Sequence, residues 1–253
     1  MTPLIIPFVV VLAVSVVFSM FGKGGGSLYT PVLVMLGWDV GSSISTALFL
    51  NLVTALVATV VFARNRLVDF RFCTVFLPGT IAGSIVGALL SSRAPKDLLL
   101  GLFAAFLVGA GVLMVRSGKG ETGQPVRPLS QSLAMLIIAF SFAVGVLSSL
   151  IGVGGGLLIF PFLVLYMGYS AQKAAGANAL IVTVSSLVGS VGHFAVGHIE
   201  YALIGVTAVA AALGSAVGSH VTVKASPKFA KVAFAFIMWF FASEIVLHLF
   251  KVV

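Results

Sequence analysis

Apolar runs, broken by short polar or glycine-rich stretches, divide the chain into ten hydrophobic segments. They lie at about residues 4–21, 27–38, 42–63, 72–92 and 97–115, then 131–151, 157–169, 174–196, 201–222 and 229–250. Most have roughly the 20 residues that a helix needs to cross a ~30 Å hydrocarbon core. The second segment of each set of five does not. Residues 27–38 and 157–169 make helices only about 18–20 Å long at ~1.5 Å per residue. Each begins directly after a cluster of glycines. The pattern predicts an all-α polytopic membrane protein in which two short, broken helices stop part-way through the bilayer.

The two sets of five are related. Gly22-Lys23-Gly24-Gly25-Gly26 recurs as Gly152-Val153-Gly154-Gly155-Gly156, and Pro31 recurs as Pro161. Asp69 answers Glu200, Gly83-Ser84 and Gly87 answer Gly214-Ser215 and Gly218, and Pro95-Lys96 answers Pro227-Lys228. A sequence offset that drifts so little over this length marks an internal repeat. Residues 1–116 form a first transmembrane repeat and residues 131–253 a second. Residues 117–130 (SGKGETGQPVRPLS), the most polar stretch, link them. Five spans is an odd number, so the second repeat should enter the membrane inverted relative to the first.

Composition narrows the class further. Hydrophobic types make up 60% of the 253 residues and charged types 8%, against about a quarter charged in soluble domains. Mean hydropathy is +1.23. A soluble globular domain, a disordered chain and a disulfide scaffold are all excluded; Cys73 is the single cysteine. The formal charge of +8, from 14 basic and 6 acidic residues, reflects membrane topology rather than nucleic-acid binding. The basic residues are scattered, with no stacking aromatics between them. Arg64, Arg66, Arg71, Arg116, Lys119, Arg127, Lys173, Lys224, Lys228 and Lys231 fall on one side of the ten-segment topology, and Arg93, Lys96 and Lys251 on the other. Positive charge collects on the cytoplasmic side, so residues 117–130 should be a cytoplasmic linker and both termini should lie outside. The N-terminal stretch has no basic region and no clear small-x-small cleavage site, and reads as a retained first span.

The glycine clusters carry the candidate chemistry. Irregular backbone at membrane depth is tolerated only where it is buried in protein or lines a polar cavity. Consecutive glycines let backbone N–H groups converge, and the helix that follows adds unpaired donors and the positive end of its dipole. Two such ends from inverted repeats make an anion site near the midplane. The competing reading is close helix contact. That reading suits Gly79, Gly83 and Gly87, and Gly214 and Gly218, which are spaced by four.

The motifs GKGGGSLYTPVLVMLG and GVGGGLLIFPFLVLYMG, each followed by an acidic loop (LVDF, HIEY), resemble the TauE/SafE sulfite exporter family over nearly the whole chain. The resemblance implies transport of small sulfur-containing anions, such as sulfite, sulfonates or sulfoacetate, across a bacterial inner membrane. The reading of the glycine clusters places that substrate at Gly24, Gly25, Gly26 and Ser27 and at Gly154, Gly155 and Gly156. The chain departs from the family pattern at Lys23, where an apolar residue is usual, and at Thr46-Ala47 and Asn178-Ala179, where Thr-Ser is frequent.

Lys23 is the candidate counter-charge for the anion; the alternative is that it snorkels to the membrane interface. Thr46 and Asn178, at matching positions of the two repeats, are candidate hydrogen-bonding partners. Ser27, Ser45, Asn51, Thr54, Thr183, Ser185 and Ser186 are further ones, although membrane hydroxyls more often bond their own helix. Glu244 and His248, four residues apart on the last span, can carry a proton or simply pair at an interface. Trp38 and Trp239 suit membrane interfaces, and Asp69 and Glu200 suit local capping. His193, His198 and His220 show no shared motif. Motifs of hydrolases, metalloproteases, redox dithiols and P-loops are absent, so neither an enzyme nor an ATP-driven pump is expected, and no cofactor or metal. The reading is a secondary transporter whose two repeats rock to give alternating access. Its partners are the anion, the lipid bilayer, a proton or sodium as coupling ion, and a second copy in a homodimer, with no nucleic acid. An anion channel of the same architecture and a carrier of small carboxylates are the rival readings.

Overall fold

A computed structural model describes residues 4–90, 96–116, 129–151, 156–194 and 200–249. Every regular element among them is helical: α1 (Ile5–Ser19), α2 (Gly26–Met35), α3 (Val40–Arg64), α4 (Phe70–Leu90), α5 (Lys96–Arg116), α6 (Gln131–Ile151), α7 (Gly156–Pro161), α8 (Ala171–Phe194), α9 (Tyr201–Lys224) and α10 (Pro227–Leu249). A π-helical turn, Phe162–Tyr166, extends α7. These are the ten segments that the hydrophobic pattern outlines. Stretches within α3, α4, α9 and α10 are long and apolar enough to cross a membrane. Helix α2, at 10 residues, rises only about 15 Å.

Short polar residues set the helix starts. Asp69 accepts the N–H of Phe72 at 3.0 Å and opens α4. Asp39 accepts that of Ser42 at 3.2 Å and opens α3. Ser130, Ser170 and Ser226 do the same for α6, α8 and α10. Glu200 contributes its backbone carbonyl to the first turn of α9. Side-chain oxygens at these positions satisfy N–H groups that the helix itself leaves unpaired.

The chain folds into two compact units, and each takes helices from both halves of the sequence. The first comprises Met1–Cys73 and Ala175–Lys224. Helix α1 lies directly along α9. A Cβ added at Gly214 would meet the Leu12 carbonyl oxygen at 2.5 Å, and one at Gly218 would collide with that of Val16. Val11, Tyr29, Ala47, Leu50, Ala210 and Ala211 form the core among these helices. Tyr29 is fully buried. Its hydroxyl lies 2.7 Å from Ser15 Oγ and 2.8 Å from Thr54 Oγ1, joining α2 to α1 and α3. Ser215 donates to the Thr54 carbonyl at 2.6 Å and closes the group onto α9. Tyr29→Phe removes the hydroxyl that ties α2 to Ser15 and Thr54, whose own hydroxyls keep their bonds to the Val11 and Leu50 carbonyls, and the loss should cost about 0.5–1.5 kcal/mol. The expected outcome is a lower thermal midpoint of the detergent-solubilised protein with unchanged helix content by circular dichroism.

The second unit comprises Thr74–Ala174 and Ala225–Val253. Here α4 lies along α6 as α9 lies along α1. A Cβ at Gly79 would strike Ser141 Oγ and the Ile138 carbonyl, and one at Gly83 the Phe142 carbonyl. Phe162 organises an aromatic cluster: Phe140 stacks on it at 4.0 Å, Tyr166 at 5.1 Å, and Phe76 meets it edge-on at 6.1 Å. Pro161, with no N–H to donate, stands where α7 gives way to the wider π turn. Trp239 sits midway along α10, not at a helix end as an interfacial tryptophan would. Its indole packs where Gly111 of α5 leaves room, and its N–H reaches the Val108 carbonyl at 3.4 Å.

Candidate functional site

The first glycine cluster is a buried turn between α1 and α2, and each of its glycines has a separate reason to be there. Helix α1 ends in a hydrogen-bonded cap: Lys23 N–H returns to the Phe18 carbonyl at 3.2 Å and Gly22 N–H to that of Ser19 at 3.0 Å. This pairing needs a left-handed residue between helix and exit, and Gly22 supplies it with φ +63°. Gly24 is left-handed too, at φ +70°. The remaining constraint is space. A Cβ at Gly22 would collide with the Ala175 carbonyl of α8, one at Gly24 with the Asn51 carboxamide, and one at Gly25 with the Tyr29 ring. At Gly26 it would come within 3.0 Å of the Asn51 carboxamide.

Lys23 stands between the two left-handed glycines and is buried, with 3% of its surface exposed. Its ammonium donates to Ser27 Oγ at 2.6 Å and lies 4.7 Å from the centre of the Phe18 ring. The side chain therefore turns inward instead of snorkelling to a surface. The Phe18 ring packs against the side-chain nitrogen.

Two asparagines hold the turn. Asn178 of α8 donates from Nδ2 to the Phe21 carbonyl at 2.9 Å. Asn51 of α3 accepts the Gly26 N–H on Oδ1 at 2.9 Å and donates from Nδ2 to Ser186 Oγ at 2.6 Å. The first N–H of α2 is thus already satisfied by a carboxamide oxygen. Leu28 and Tyr29 N–H groups return to the Gly25 carbonyl.

The structure brings Lys23, Gly24, Gly25, Gly26, Ser27 and Asn178 into one neighbourhood. Thr46 is on the same helix as Asn51, about 7.5 Å earlier along the axis. It is fully buried, and its hydroxyl has no hydrogen-bond partner among the described residues. Gly156 is buried at the start of α7, whereas Gly154 and Gly155 lie outside the described residues. So do His198, Lys251 and the side chains of His193 and His248, which leaves the Glu244–His248 pair undescribed. Among the other candidate hydroxyls of α3 and α8, Thr54 bonds the Leu50 carbonyl, Thr183 that of Ala179 and Ser185 that of Val182, and Ser45 is buried. The roles of Asn51 and Ser186 as a linked pair have no signature in sequence, because they are 135 residues apart and break no periodicity. Lys23→Ala removes a buried charge-assisted donor worth about 1.5–3 kcal/mol. The expected outcome is a lower thermal midpoint of the detergent-solubilised protein with unchanged helix content by circular dichroism.

Against this geometry the sequence matches the family described as Sulfite exporter TauE/SafE over residues 7–245. The chain belongs to this family. It is 27% identical over 207 residues to the probable membrane transporter protein YunE of Bacillus subtilis, covering 72% of this chain and 75% of the relative. A probable membrane transporter protein of Methanocaldococcus jannaschii is 21% identical over 254 residues, 93% of each chain. The probable membrane transporter protein YdhB of Bacillus subtilis is 23% identical over 215 residues, 84% of this chain and 88% of the relative. The TauE/SafE motifs seen in the sequence and these relatives agree on one class: the protein is a multi-pass membrane transporter. The buried glycine turn is the part of this family member that the structure describes in most detail.

Proposed function

We propose that the protein is a secondary transporter that carries small sulfur-containing anions, sulfite or an organosulfonate such as sulfoacetate, across the bacterial inner membrane by alternating access. The observation that carries this reading is the buried Lys23 ammonium, set on a glycine turn at the start of a helix too short to span. A desolvated cation is stabilised by an anion with hydrogen-bonding oxygens, and the turn presents it beside the Ser27 hydroxyl and the positive end of α2. The family's description as sulfite exporters supports a sulfur oxyanion as the substrate class. The bias of basic residues toward one side supports a cytoplasmic linker and external termini.

In this reading Gly24, Gly25, Gly26, Ser27 and Lys23 bind the anion from the first repeat, and Gly154, Gly155 and Gly156 from the second. Thr46 and Asn178 complete its hydrogen bonds. A proton or sodium as coupling ion and a homodimeric assembly are further parts of the proposal. The test of the substrate class is competition: proteoliposomes preloaded with sulfite are given labelled sulfite with an excess of sulfoacetate, taurine, sulfate, acetate or chloride. Saturable exchange inhibited by the sulfur oxyanions and sulfonates supports the class. Inhibition by acetate alone moves the assignment to a carboxylate carrier.

A further inference from the structure

The glycine turn belongs to the first half of the sequence, yet it is also held from the second. Asn178 of α8 fixes the Phe21 carbonyl at the entry to the turn. The bare Cα of Gly22 rests on α8, where any Cβ would run into the Ala175 carbonyl and come within 2.7 Å of the Ala179 nitrogen. At the exit, Asn51 takes the Gly26 N–H on its oxygen and passes its own N–H to Ser186 of α8. Helix α3, which carries Asn51, is itself joined to α8 further along, where Thr59 Oγ1 and Thr183 Oγ1 lie 3.0 Å apart.

On the reading that the turn holds the transported anion, we propose that Asn51 and Ser186 are positioning residues that fasten the turn to α8. The turn, α3 and α8 then move as one body during transport, and the two sequence halves do not rock against each other. A carboxamide suits this post because it offers an acceptor to Gly26 and a donor to Ser186 at once. A half-against-half motion would break the three polar contacts between the halves, Asn178 with the Phe21 carbonyl, Asn51 with Ser186 and Thr59 with Thr183, in one step, and would leave the Phe21 carbonyl without its carboxamide donor. Motion of the mixed body leaves them intact.

Two readouts test this, both in the full-length protein with Cys73→Ser. The first is the reaction rate of a Lys23→Cys thiol with a maleimide in proteoliposomes. The rate should be low with Asn51 present and rise about tenfold with Asn51→Leu or Ser186→Ala, the factor for losing one or two such bonds. It should return toward the low value with Asn51→Asp, which still accepts from Gly26 and from the Ser186 hydroxyl. Equal rates in all four proteins would overturn the tether. The second is a Thr59→Cys/Thr183→Cys pair, at side chains whose Oγ1 atoms are in contact in the native protein, oxidised to the disulfide and verified by mass spectrometry. The cross-linked carrier should exchange anions at the rate of its reduced form. Loss of exchange that reduction restores would overturn the single-body motion, and failure of the pair to form a disulfide would contradict the α3–α8 contact. If Lys23-containing protein exchanges no anion at all, the transport reading fails, while the labelling rates still decide the tether.

Discussion

Gly25→Leu is expected to abolish anion transport while leaving the protein inserted and extractable from the membrane. Gly25 has φ −95°, which any residue adopts, so the penalty is purely one of space. A first side-chain carbon there falls on the ring of Tyr29. That ring has no exposed surface and its hydroxyl is held by Ser15 and Thr54, so it cannot swing aside without breaking both bonds. The start of α2 must move instead, and with it the Ser27 hydroxyl that meets the Lys23 ammonium. Overpacking of this kind costs about 1–3 kcal/mol, which a large helical protein survives. A displacement of about 1 Å at a binding constellation lowers turnover about 100-fold. Initial rates of exchange at saturating anion, measured beside size-exclusion profiles of the same preparation, separate the two effects. Full exchange by well-folded Gly25→Leu protein would remove the turn from the site.

Gly218→Leu is expected to have the largest effect on stability. The Val16 carbonyl and Ser19 Oγ of α1 occupy the space into which the new side chain would grow, and both belong to a helix in backbone contact with α9. The two helices have to separate, and Gly214, one turn earlier, loses its contact with Leu12 as well. The cost should reach about 3 kcal/mol or more, seen as a lower thermal midpoint and a lower yield of monodisperse protein. Gly205, on the same helix, is the internal control, since a Cβ there meets nothing within 4 Å. Gly205→Ala should leave stability unchanged or raise it by up to about 1 kcal/mol, the ordinary helix preference for alanine. Equal effects at the two positions would mean that α1 and α9 do not meet as described.

Much of this fold is legible in the amino-acid order because membrane solvent simplifies the problem. Every span must be apolar, so Ile5–Ser19 through Pro227–Leu249 appear as runs of hydrophobic residues, and the two that are too short appear as such. The spacing of Gly79 and Gly83, and of Gly214 and Gly218, reveals close-contact faces because only small residues let helix backbones touch. Asp69 reads as a cap because its short carboxylate precedes an apolar run. What the sequence does not reveal is which helices meet. The repeat suggests two halves, whereas the compact units mix them, with α1 against α9 and α3 tied to α8. Nothing in a periodicity distinguishes contact within a repeat from contact across repeats.

The candidate site divides in the same way. The glycine cluster is conspicuous, and Asn178 stands out as a polar residue in an apolar helix. Lys23 is ambiguous in sequence, because a lysine near the end of a span can turn either way; the cap that closes α1 at Gly22 decides it by directing the next residue inward. The Asn51–Ser186 link is invisible until α3 and α8 are placed side by side.

The most direct test of the central claim, that the buried glycine turn carries a sulfur-containing anion, is counterflow in proteoliposomes. Vesicles holding the purified protein are loaded with unlabelled sulfite or sulfoacetate, and entry of the labelled compound is followed for the native protein and for Gly25→Leu. The account expects saturable, transient accumulation of label with the native protein and none with the variant. Equal accumulation with both, or none with the folded native protein for any sulfur anion, would contradict it.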